Sequence, residues 1–373
     1  MKLRVGIVFG GRSGEHEISK RSAQAVIEQI DRSKYDVVPI AITEEGHWLG
    51  PSSALGFLAA EAASLLDISK TDVPGEIAVI GDPRHRGLRA LESEIRQEID
   101  VMFPLLHGTY GEDGTIQGLF EMADIPYVGC GVLASSCGMD KSIMKALFKE
   151  AGLPICRHYT ALRSRWQNDP EAVISEIETA IGYPCFVKPA NLGSSVGISR
   201  AVDTEELRKA IDVAAQFDRK IIIEEALKMR EIECAVIGND DPEASLPGEY
   251  VIKDKSKAFL DYTEKYAGTG NNEFVVPAPV SDELSNKIRE MAIRAFKAVD
   301  GAGLARVDFF LRTDNGSLLV NEINTMPGLT DASGYPKMWA GTGKPFSKVI
   351  DELIELAIAR HKDKSRNKTS RDV

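Results

Sequence analysis

The chain has 373 residues, of which 43% are hydrophobic, and a formal net charge of −11. That length allows several domains with a sizeable core, and the hydrophobic fraction excludes a disordered protein. No apolar run approaches the roughly 18 residues of a membrane helix, and no basic stripe indicates nucleic acid as a partner. The five cysteines form no C-x-x-C pair, which is typical of a reduced, cytoplasmic protein.

The first elements in the chain predict an α/β unit. The apolar run at 3–9 is typical of a buried parallel strand and is too strand-like for a signal peptide. A glycine-rich turn, a helix and a second strand follow, as in a Rossmann-like unit. A dinucleotide site is one hypothesis, but the glycines at 10, 11 and 14 do not form G-x-G-x-x-G. Glu15 stands at the mouth of the helix instead, where an acidic residue often serves only as a partner of the helix dipole.

Another buried strand, at 100–106, ends in a polar loop that begins with His107. Open α/β sheets bind ligands at the carboxyl ends of their strands, so this loop is a candidate site, although a lone histidine there is more often structural. A helix at 115–122 and a short strand at 127–129 are expected to complete the first domain. Residues 50–95 carry no motif that indicates chemistry.

The middle of the chain contains a candidate phosphate-binding loop. Lys188 lies in the apolar strand 185–189, and a Gly/Ser loop at 191–197 leads to a strand at 198–202. Backbone N–H groups of such a loop can bind phosphate, and a flexible hairpin tip is the alternative. The loop lacks the G-x-x-x-x-G-K-[ST] pattern of a Walker A motif. Residues 256–279 are rich in Gly, Asn, Lys, Tyr and Pro, and a loop of this length predicts a functional lid or disorder.

The strongest signal for a metal is a hairpin between Arg306 and Asn324. A three-residue loop with glycine predicts the pairs Thr313–Ser317, Asp308–Glu322 and Arg306–Asn324. The same alternation predicts that Val320 shares the face of the two carboxylates. Opposed Cβ atoms lie about 4.5–5.5 Å apart, so the carboxylates repel each other unless a cation lies between them. Oxygen ligands of this kind suit Mg²⁺, and a solvated hairpin is the alternative. The last helix is predicted at 346–360.

Eight motifs in chain order jointly resemble one family. They are Gly-Gly-Arg-Ser-Gly-Glu-His-Glu at 10–17, His107-Gly with Gly-Glu-Asp-Gly-Thr, Met139-Asp140-Lys141, Val187-Lys188-Pro189, Gly193-Ser-Ser-Val-Gly197, Glu264-Lys265-Tyr266, Arg306-Val-Asp308 and Glu322-Ile-Asn324-Thr-Met-Pro-Gly328. From residue 3 to about 360 the chain thus resembles the D-alanine–D-alanine ligases of the ATP-grasp superfamily. The resemblance implies ATP-dependent ligation of two D-alanine molecules through a D-alanyl phosphate, for bacterial peptidoglycan precursor synthesis.

The resemblance also implies the fold class, a mixture of α/β and α+β. A Rossmann-like (pre-ATP-grasp) domain at 1–138 would precede a two-lobed ATP-grasp domain, with a central lobe at 139–223 and a C-terminal lobe at 224–362. The C-terminal lobe would carry a lid at 256–275 and the metal-binding hairpin, and residues 363–373 would form a disordered tail. The family also implies a homodimer that binds D-alanine and ATP, and the composition predicts a cytoplasmic protein with no membrane or nucleic-acid partner.

Residue roles follow from the resemblance by group. The ATP-binding residues would be Lys141, Lys188 and Ser195 on the phosphates, Glu224, Glu225, Ala226 and Leu227 at the adenine, and Glu231 on the ribose. Two Mg²⁺ ions, with Mn²⁺ as a substitute, would be held by Asp308, Glu322 and Asn324. The catalytic residues would be Arg306 and the amide of Gly328 at the oxyanion, and Glu15 at the first D-alanine, linked through Ser194 to Tyr266 in the lid. The substrate-binding residues would be His107, Lys265 and Ser333, with Ser333 at the carboxylate of the second D-alanine.

Two positions bear on the second substrate. Gly334 departs from the family pattern, in which a bulkier residue is expected. Tyr266 predicts a peptide product, because a phenol with a pKa of about 10 is neutral, whereas the histidine of ester-forming relatives would repel the ammonium of D-alanine. The alternatives are a ligase that makes D-alanyl-D-lactate or D-alanyl-D-serine, a dinucleotide-dependent oxidoreductase, and an ATP-sensing regulatory protein. The last would be expected to have lost Arg306 or Glu15.

Overall fold

The computed structural model describes residues 2–193, 196–252 and 272–368. Its N-terminal elements are β1 (Leu3–Gly10), α1 (His16–Gln29), β2 (Tyr35–Ile42), β3 (Trp48–Leu49), α2 (Pro51–Ala54), α3 (Ala60–Ser64), β4 (Ile77–Val79), β5 (Gly87–Ala90), β6 (Arg96–Glu98), β7 (Val101–Pro104) and α4 (Thr115–Met122). β2, β1 and β7 form a parallel sheet, with β3 antiparallel at its edge. The expected Rossmann-like unit is therefore present, and its strands are almost continuously buried, as parallel strands usually are.

Two parts of this region differ from the sequence-based expectation. The segment 50–95 contains most of a small antiparallel sheet in the order β4–β5–β6. The predicted strand at 127–129 is wrong, because Tyr127 makes only one isolated parallel bridge, with Met102. A single bridge lacks the repeated pairing that defines a strand.

The middle of the chain forms a second sheet. Its elements are α5 (Val132–Met139), α6 (Lys141–Glu150), β8 (His158–Leu162), α7 (Arg163–Asn168), α8 (Pro170–Ala180), β9 (Cys185–Pro189), β10 (Ser199–Ala201), α9 (Thr204–Phe217) and β11 (Lys220–Glu225). The strands are antiparallel in the order β10–β9–β11–β8, and α8 and α9 bury their apolar faces against them. Met144 and Phe148 of α6 are buried in the core of the third sheet instead.

The third sheet carries the predicted metal hairpin. Its elements are β12 (Met229–Gly238), β13 (Glu243–Ala244), β14 (Gly248–Ile252), β15 (Asn272–Val275), α10 (Asp282–Ala298), β16 (Gly303–Arg312), β17 (Leu318–Asn324), α11 (Gly334–Gly341) and α12 (Phe346–Lys364). The strand order is β15–β14–β12–β16–β17, with β13 beside β12. The last four residues of the predicted lid therefore form β15, and residues 256–271 lie outside the described part of the chain.

The C-terminal helices complete the core of the first sheet. Tyr335 and Trp339 of α11 and Leu353 of α12 are buried in one cluster with Ile7 and Phe9 of β1. This packing holds the N-terminal unit against the third sheet. Among the described residues, no helix is both long and apolar enough to cross a membrane.

Helix α12 continues to Lys364 rather than ending at 360, as the sequence predicts. His361 Nε2 lies 2.8 Å from Asp124 Oδ1, and Lys364 pairs with Glu121. These contacts with the end of α4 account for the additional helical turn. The first two residues of the predicted disordered tail thus belong to the helix, and 369–373 lie outside the described residues.

Candidate functional site

A cleft of about 230 Å³ is lined by residues of the second and third sheets and of the helices and loops around them, including α1 and the loop after β7. Most of the residues singled out from the sequence line it. They are Glu15, His107, Lys141, Lys188, Glu224, Glu225, Leu227, Glu231, Arg306, Asp308, Glu322, Asn324 and Gly328. Ala226 and Ser333 are described but do not line it. Ser194, Ser195, Lys265 and Tyr266 lie outside the described residues.

The hairpin of β16 and β17 places the expected carboxylates opposite each other. Asp308 pairs with Glu322 and Arg306 with Asn324, so this part of the predicted register is confirmed. The register then shifts by one residue at a β-bulge, after which Phe309 pairs with Val320. Asn321 is the extra residue. A bulge re-aims the side chains on either side of it, and here it leaves Glu322 on the cleft face.

The predicted length of the turn is wrong, and the bulge offsets the effect of that error on the register. The backbone N–H of Arg312 donates to Ser317 O at 2.9 Å, so the loop has four residues and the predicted pair Thr313–Ser317 is wrong. Val320 is also not on the face of the carboxylates, because it is fully buried in the core with Phe309. The one-residue difference at the turn and the extra residue in β17 compensate each other. The predicted pairs at the far end of the hairpin are correct for that reason.

Arg306 and Asp308 form a bidentate contact in the cleft. Its guanidinium donates from Nε to Asp308 Oδ1 at 2.7 Å and from Nη2 to Asp308 Oδ2 at 2.6 Å. Glu233 of β12 lies directly across from Asp308, and its Oε2 is 3.5 Å from Arg306 Nε. Burial raises the pKa of Asp308 to about 7, although Arg306 opposes the shift. We therefore call Arg306, Asp308, Glu233 and Glu322 the acidic end of the cleft.

The donor set fits Mg²⁺ that is shared with a phosphate-bearing ligand. Asp308 and Glu322 supply two opposed carboxylates, and Asn324 Oδ1 accepts from Met326 N at 2.9 Å, which leaves that oxygen a second lone pair. Within the described ranges, no three or more His, Cys, Asp or Glu side chains are grouped as a metal site would need. Mg²⁺ commonly binds through one or two carboxylates and completes its shell with water and substrate phosphate.

A second part of the cleft is rich in lysine. Glu224 Oε2 accepts from Lys188 Nζ at 2.6 Å, and Glu224 Oε1 lies 2.9 Å from Lys145 Nζ. Burial would raise the pKa of Glu224, but the two ammonium groups outweigh it and hold that pKa well below its usual range. Lys145 is only 1% exposed and also donates to the carbonyl oxygen of Asn321, at 3.1 Å. We call Lys141, Lys145, Lys188 and Glu224 the lysine end of the cleft.

Lys141 connects the two ends. It is the first residue of α6, whose N-cap Asp140 accepts from Ser142 N and Ile143 N. Its Nζ donates to Leu192 O at 2.8 Å and lies 3.9 Å from Glu322 Oε2. Burial would raise the pKa of Glu322, but Lys141, Lys188 and Arg306 outweigh it and lower that pKa. An ammonium group between a glycine-rich loop and a carboxylate is suited to bind a phosphate.

The predicted adenine segment lies at the end of β11. The Glu225 side chain is held by Arg157, whose backbone N and Nε donate to it at 2.8 and 3.0 Å. Ala226 N donates to Pro184 O at 3.1 Å, whereas Leu227 and Glu231 line the cleft. Arg157 therefore fixes the Glu225 side chain next to the start of β8, and Glu225, Leu227 and Glu231 all line the cleft here.

The N-terminus of α1 brings Glu15 into the cleft. Ser19 fixes this helix end, because its Oγ accepts from Gly10 N at 2.7 Å and donates to Leu105 O at 2.6 Å. Glu15 Oε2 lies so close to Gly108 that a Cβ there would be 3.0 Å from it. Glu15 thus lies at the start of the first helix, as predicted, and its side chain faces the loop that follows β7.

His107 contacts protein groups with both ring nitrogens. Nδ1 lies 3.1 Å from Met326 O, and Nε2 lies 3.1 Å from Ser22 Oγ. Glu112 Oε1 is 3.5 Å from Nδ1. Burial would lower the pKa of His107, but Glu112 outweighs it, so the pKa is raised. His107 therefore holds the loop at Met326 against the N-terminal unit, and its substrate-binding role stays a prediction.

Ser333 lies next to Gly328 but is engaged by its own turn. A Cβ on Gly328 would be 2.8 Å from Ser333 Oγ. That hydroxyl group is 2.7 Å from Thr330 Oγ1 and accepts from Thr330 N at 3.2 Å. The side chain is 3% exposed. The turn thus engages this hydroxyl group, and the substrate-binding role of Ser333 also stays a prediction.

Two buried charged residues of the site were missed in the sequence. Lys145 is four residues after Lys141 on α6, and Glu233 is two residues after Glu231 on β12. Helix and strand periodicities place each of them on the same face as its neighbour. The spacing was therefore visible in the sequence, but the contact of Lys145 with Glu224 depends on how a helix packs on a strand, and that of Glu233 with Arg306 on how two strands pair.

Two family models and several known proteins match the chain. The model described as D-ala D-ala ligase N-terminus matches residues 4–130, and the model described as D-ala D-ala ligase C-terminus matches residues 147–355. A D-alanine–D-alanine ligase of Heliobacterium modesticaldum is 47% identical and covers 100% of this chain and 99% of its own. One from Ruminiclostridium cellulolyticum is 49% identical, with 99% of each chain covered.

Solved structures with the same fold extend the similarity to three dimensions. The D-alanine–D-alanine ligase from Coxiella burnetii has a TM-score of 0.81 at 34% identity and covers 98% of both chains. The VanG D-Ala:D-Ser ligase from Enterococcus faecalis has a TM-score of 0.81 at 36% identity and covers 96% of this chain and 100% of its own.

Proposed function

The chain belongs to the D-alanine–D-alanine ligase family, whose members are ATP-dependent ligases, and we propose that it joins two D-alanine molecules to D-alanyl-D-alanine. A carboxylate is a poor electrophile. Its attack on the γ-phosphorus of ATP forms a D-alanyl phosphate and releases ADP. The amine of the second D-alanine then attacks the carbonyl carbon, loses a proton, and phosphate leaves with the C–O bonding electrons.

The observation that carries the proposal is the opposed pair Asp308–Glu322 beside Lys141 and Lys188. Phosphoryl transfer needs little covalent chemistry from a protein, which must neutralise phosphate charge and align the reactants. Lys141 and Lys188 would bind phosphate oxygens. Asp308, Glu322 and Asn324 would hold two Mg²⁺ ions, which supply charge neutralisation at the transferred phosphoryl group.

The remaining roles concern the substrates. Arg306 and the amide of Gly328 would stabilise the oxyanion of the tetrahedral intermediate, and Glu15 would bind the ammonium group of the first D-alanine. Leu227 and Glu231 would contact the nucleoside. The roles of Ser194, Ser195, Lys265 and Tyr266 rest on the family resemblance alone.

Further proposals rest on the same resemblance. They are the peptidoglycan role, the cytoplasmic location, the homodimer, the use of Mn²⁺ in place of Mg²⁺, and the domain division at 1–138, 139–223 and 224–362. Lobes that close on ATP would also exclude water from the acyl phosphate, which hydrolyses readily. The dimer is testable by light scattering of the purified protein.

The ligase assignment is tested by product analysis. Wild-type protein with ATP and Mg²⁺ should release phosphate when D-alanine is added and not when L-alanine is added, and mass spectrometry should identify D-alanyl-D-alanine. Phosphate release without any dipeptide would overturn the proposal.

The second substrate is tested by competition of D-alanine with equal concentrations of D-lactate or D-serine. The assay should be run below and above the α-amino pKa of about 8, because only the free amine attacks. D-alanyl-D-alanine should dominate in both conditions. A dominant D-alanyl-D-lactate or D-alanyl-D-serine product would show that the second-substrate prediction is wrong.

A further inference from the structure

Asp308, a proposed metal ligand, is bound by the guanidinium group of Arg306. Both carboxylate oxygens of Asp308 accept from the guanidinium, at 2.7 and 2.6 Å. A cation that approaches the same oxygens meets a fixed positive charge beside them and is repelled. Each of those oxygens keeps a second lone pair, but the nearby guanidinium weakens metal binding to Asp308 until Arg306 moves away from it, and this inference rests on the proposed function.

Glu233 is placed to receive that guanidinium. It lies directly across from Asp308 in the pairing of β12 and β16, so the two side chains share the cleft face. Glu233 Oε2 is already 3.5 Å from Arg306 Nε. A movement of about half an ångström would bring that pair to the usual hydrogen-bond distance of about 2.9–3.0 Å.

The same carboxylate oxygen is otherwise poorly satisfied. Glu233 is 5% exposed, and its Oε2 has no hydrogen-bond partner within the described part of the chain. A buried polar atom without a hydrogen bond lowers stability by about 1–3 kcal/mol, and more when it is charged. An unpartnered, buried carboxylate oxygen that lines a ligand cleft is explained if it acquires its partner when the ligand binds.

Gly334 leaves the space that this carboxylate occupies. A Cβ at position 334 would lie 2.5 Å from Glu233 Oε2 and 2.8 Å from Phe274 Cζ. Any other residue would displace one of these groups. Gly334, which departs from the family pattern, therefore leaves room for the Glu233 carboxylate. That room lets Glu233 Oε2 lie next to Arg306.

We propose that Glu233 is a positioning residue that takes over the guanidinium of Arg306 when Asp308 binds the metal ion. In this arrangement Asp308 becomes available to the metal, and Arg306 stays in the cleft at the position where the oxyanion would form. Glu233 itself touches neither the metal nor the substrate.

The proposal is tested by metal binding rather than by turnover. Mn²⁺ affinity is measured by electron paramagnetic resonance, with a non-hydrolysable ATP analogue, for wild type, Glu233→Gln, Arg306→Gln and the double variant. Glu233→Gln should weaken Mn²⁺ binding about tenfold when Arg306 is present and about twofold or less when it is absent, since coupled neighbours deviate from additivity by about 0.5–3 kcal/mol. The two effects differ because Arg306 competes with the metal ion for Asp308 only when Glu233 cannot accept the guanidinium group.

A control is Glu290→Gln, which removes the same charge from an exposed position of α10 that does not line the cleft. It should leave Mn²⁺ affinity unchanged with and without Arg306. An equal effect of Glu233→Gln in both backgrounds would mean that Glu233 acts only as a nearby negative charge, and the proposal would be wrong. No effect of Glu233→Gln, or no Mn²⁺ binding by wild type, would overturn it as well.

Folding and function are checked separately. Thermal unfolding should give Glu233→Gln a melting temperature no lower than wild type, because a buried charge is removed, and Glu233→Leu provides a second variant if the glutamine variant does not fold. The Mn²⁺-binding measurements on wild type, the two single variants and the double variant (the double-mutant cycle) contain no D-alanine. A failure of the ligase assignment would therefore appear only in the product assay of the wild type, and a failure of the Glu233 proposal only in the cycle.

Discussion

The two ends of the cleft contain the same kinds of side chain in opposite proportions. At the lysine end, Glu224 lies between Lys145 and Lys188, and Lys141 is nearby. At the acidic end, Arg306 is shared by Asp308 and Glu233, with Glu322 across the hairpin. Among the described residues, one end therefore has an excess of positive charge and the other an excess of negative charge. A ligand that carries both phosphate and divalent cations complements the two together.

Burial has opposite outcomes at the two ends. Glu224 and Asp308 are both removed from water, which by itself raises the pKa of a carboxyl group. Two ammonium groups nevertheless hold the pKa of Glu224 far below its usual range. A single guanidinium, opposed by neighbouring carboxylates, leaves the pKa of Asp308 raised to about 7. Both groups are buried, so the balance between neighbouring cations and carboxylates decides in which direction the pKa shifts.

The largest effect is expected at the lysine end. Lys145→Met should lower the free energy of unfolding by about 3–5 kcal/mol, because it leaves Glu224 buried with one cation fewer. Urea unfolding measures the change. Lys149→Met, at an exposed position of the same helix, is the control and should stay within about 0.5 kcal/mol of wild type. Equal midpoints for the two variants would contradict the view that Glu224 needs both lysines.

The acidic end should respond in activity rather than in stability. Glu322→Gln keeps the shape of the side chain and removes the charge that a divalent cation needs. Turnover should fall by about 100-fold or more, since metal ions stabilise phosphoryl-transfer charge by several kcal/mol and each tenfold corresponds to about 1.4 kcal/mol. The unfolding midpoint should stay close to that of wild type. Glu290→Gln, at an exposed position of α10, is the control, and near-normal turnover of Glu322→Gln at saturating Mg²⁺ would refute the metal site.

Gly334 tests how tightly the acidic end is packed. Gly334→Ala should lower the free energy of unfolding by about 1–3 kcal/mol, because the new methyl group overlaps Glu233 Oε2 and the Phe274 ring. Gly118→Ala is a suitable control, since a Cβ there meets nothing within 4 Å and alanine favours the helix interior. If both alanine variants were as stable as wild type, Gly334 would not be required by Glu233.

The smallest effect is a dependence of stability on pH. The pKa of Glu224 is lowered in the folded protein from its usual 4.5, so its contribution is complete above that value and is lost as the pH falls below it. Lowering the pH by one unit from there should reduce the stability of wild type relative to Glu224→Gln by about 1 kcal/mol. Urea midpoints measured at several acidic pH values give the difference. Parallel profiles for the two proteins would mean that Glu224 is not held ionised by the lysines.

Local patterns were sufficient for much of this molecule. The buried run of β1, the glycine turn and α1 predicted the first unit, because a parallel strand and an amphipathic helix each have a recognisable period. The pairing of Asp308 with Glu322 was also predicted within one hairpin, but it is correct only because the extra residue Asn321 offsets the longer turn. The eight motifs led to the family that the comparisons identify.

Only the tertiary structure decided the bulge at Asn321, the turn of four residues and the burial of Val320. It also decided that Lys145 neutralises Glu224 and that Gly334 makes room for Glu233. The physical reason is that these contacts join residues distant in the sequence, on strands and helices whose relative positions are set by the packing of whole cores. A period of 2 or 3.6 residues specifies which face a side chain occupies, and only the assembled fold specifies which charge it meets there.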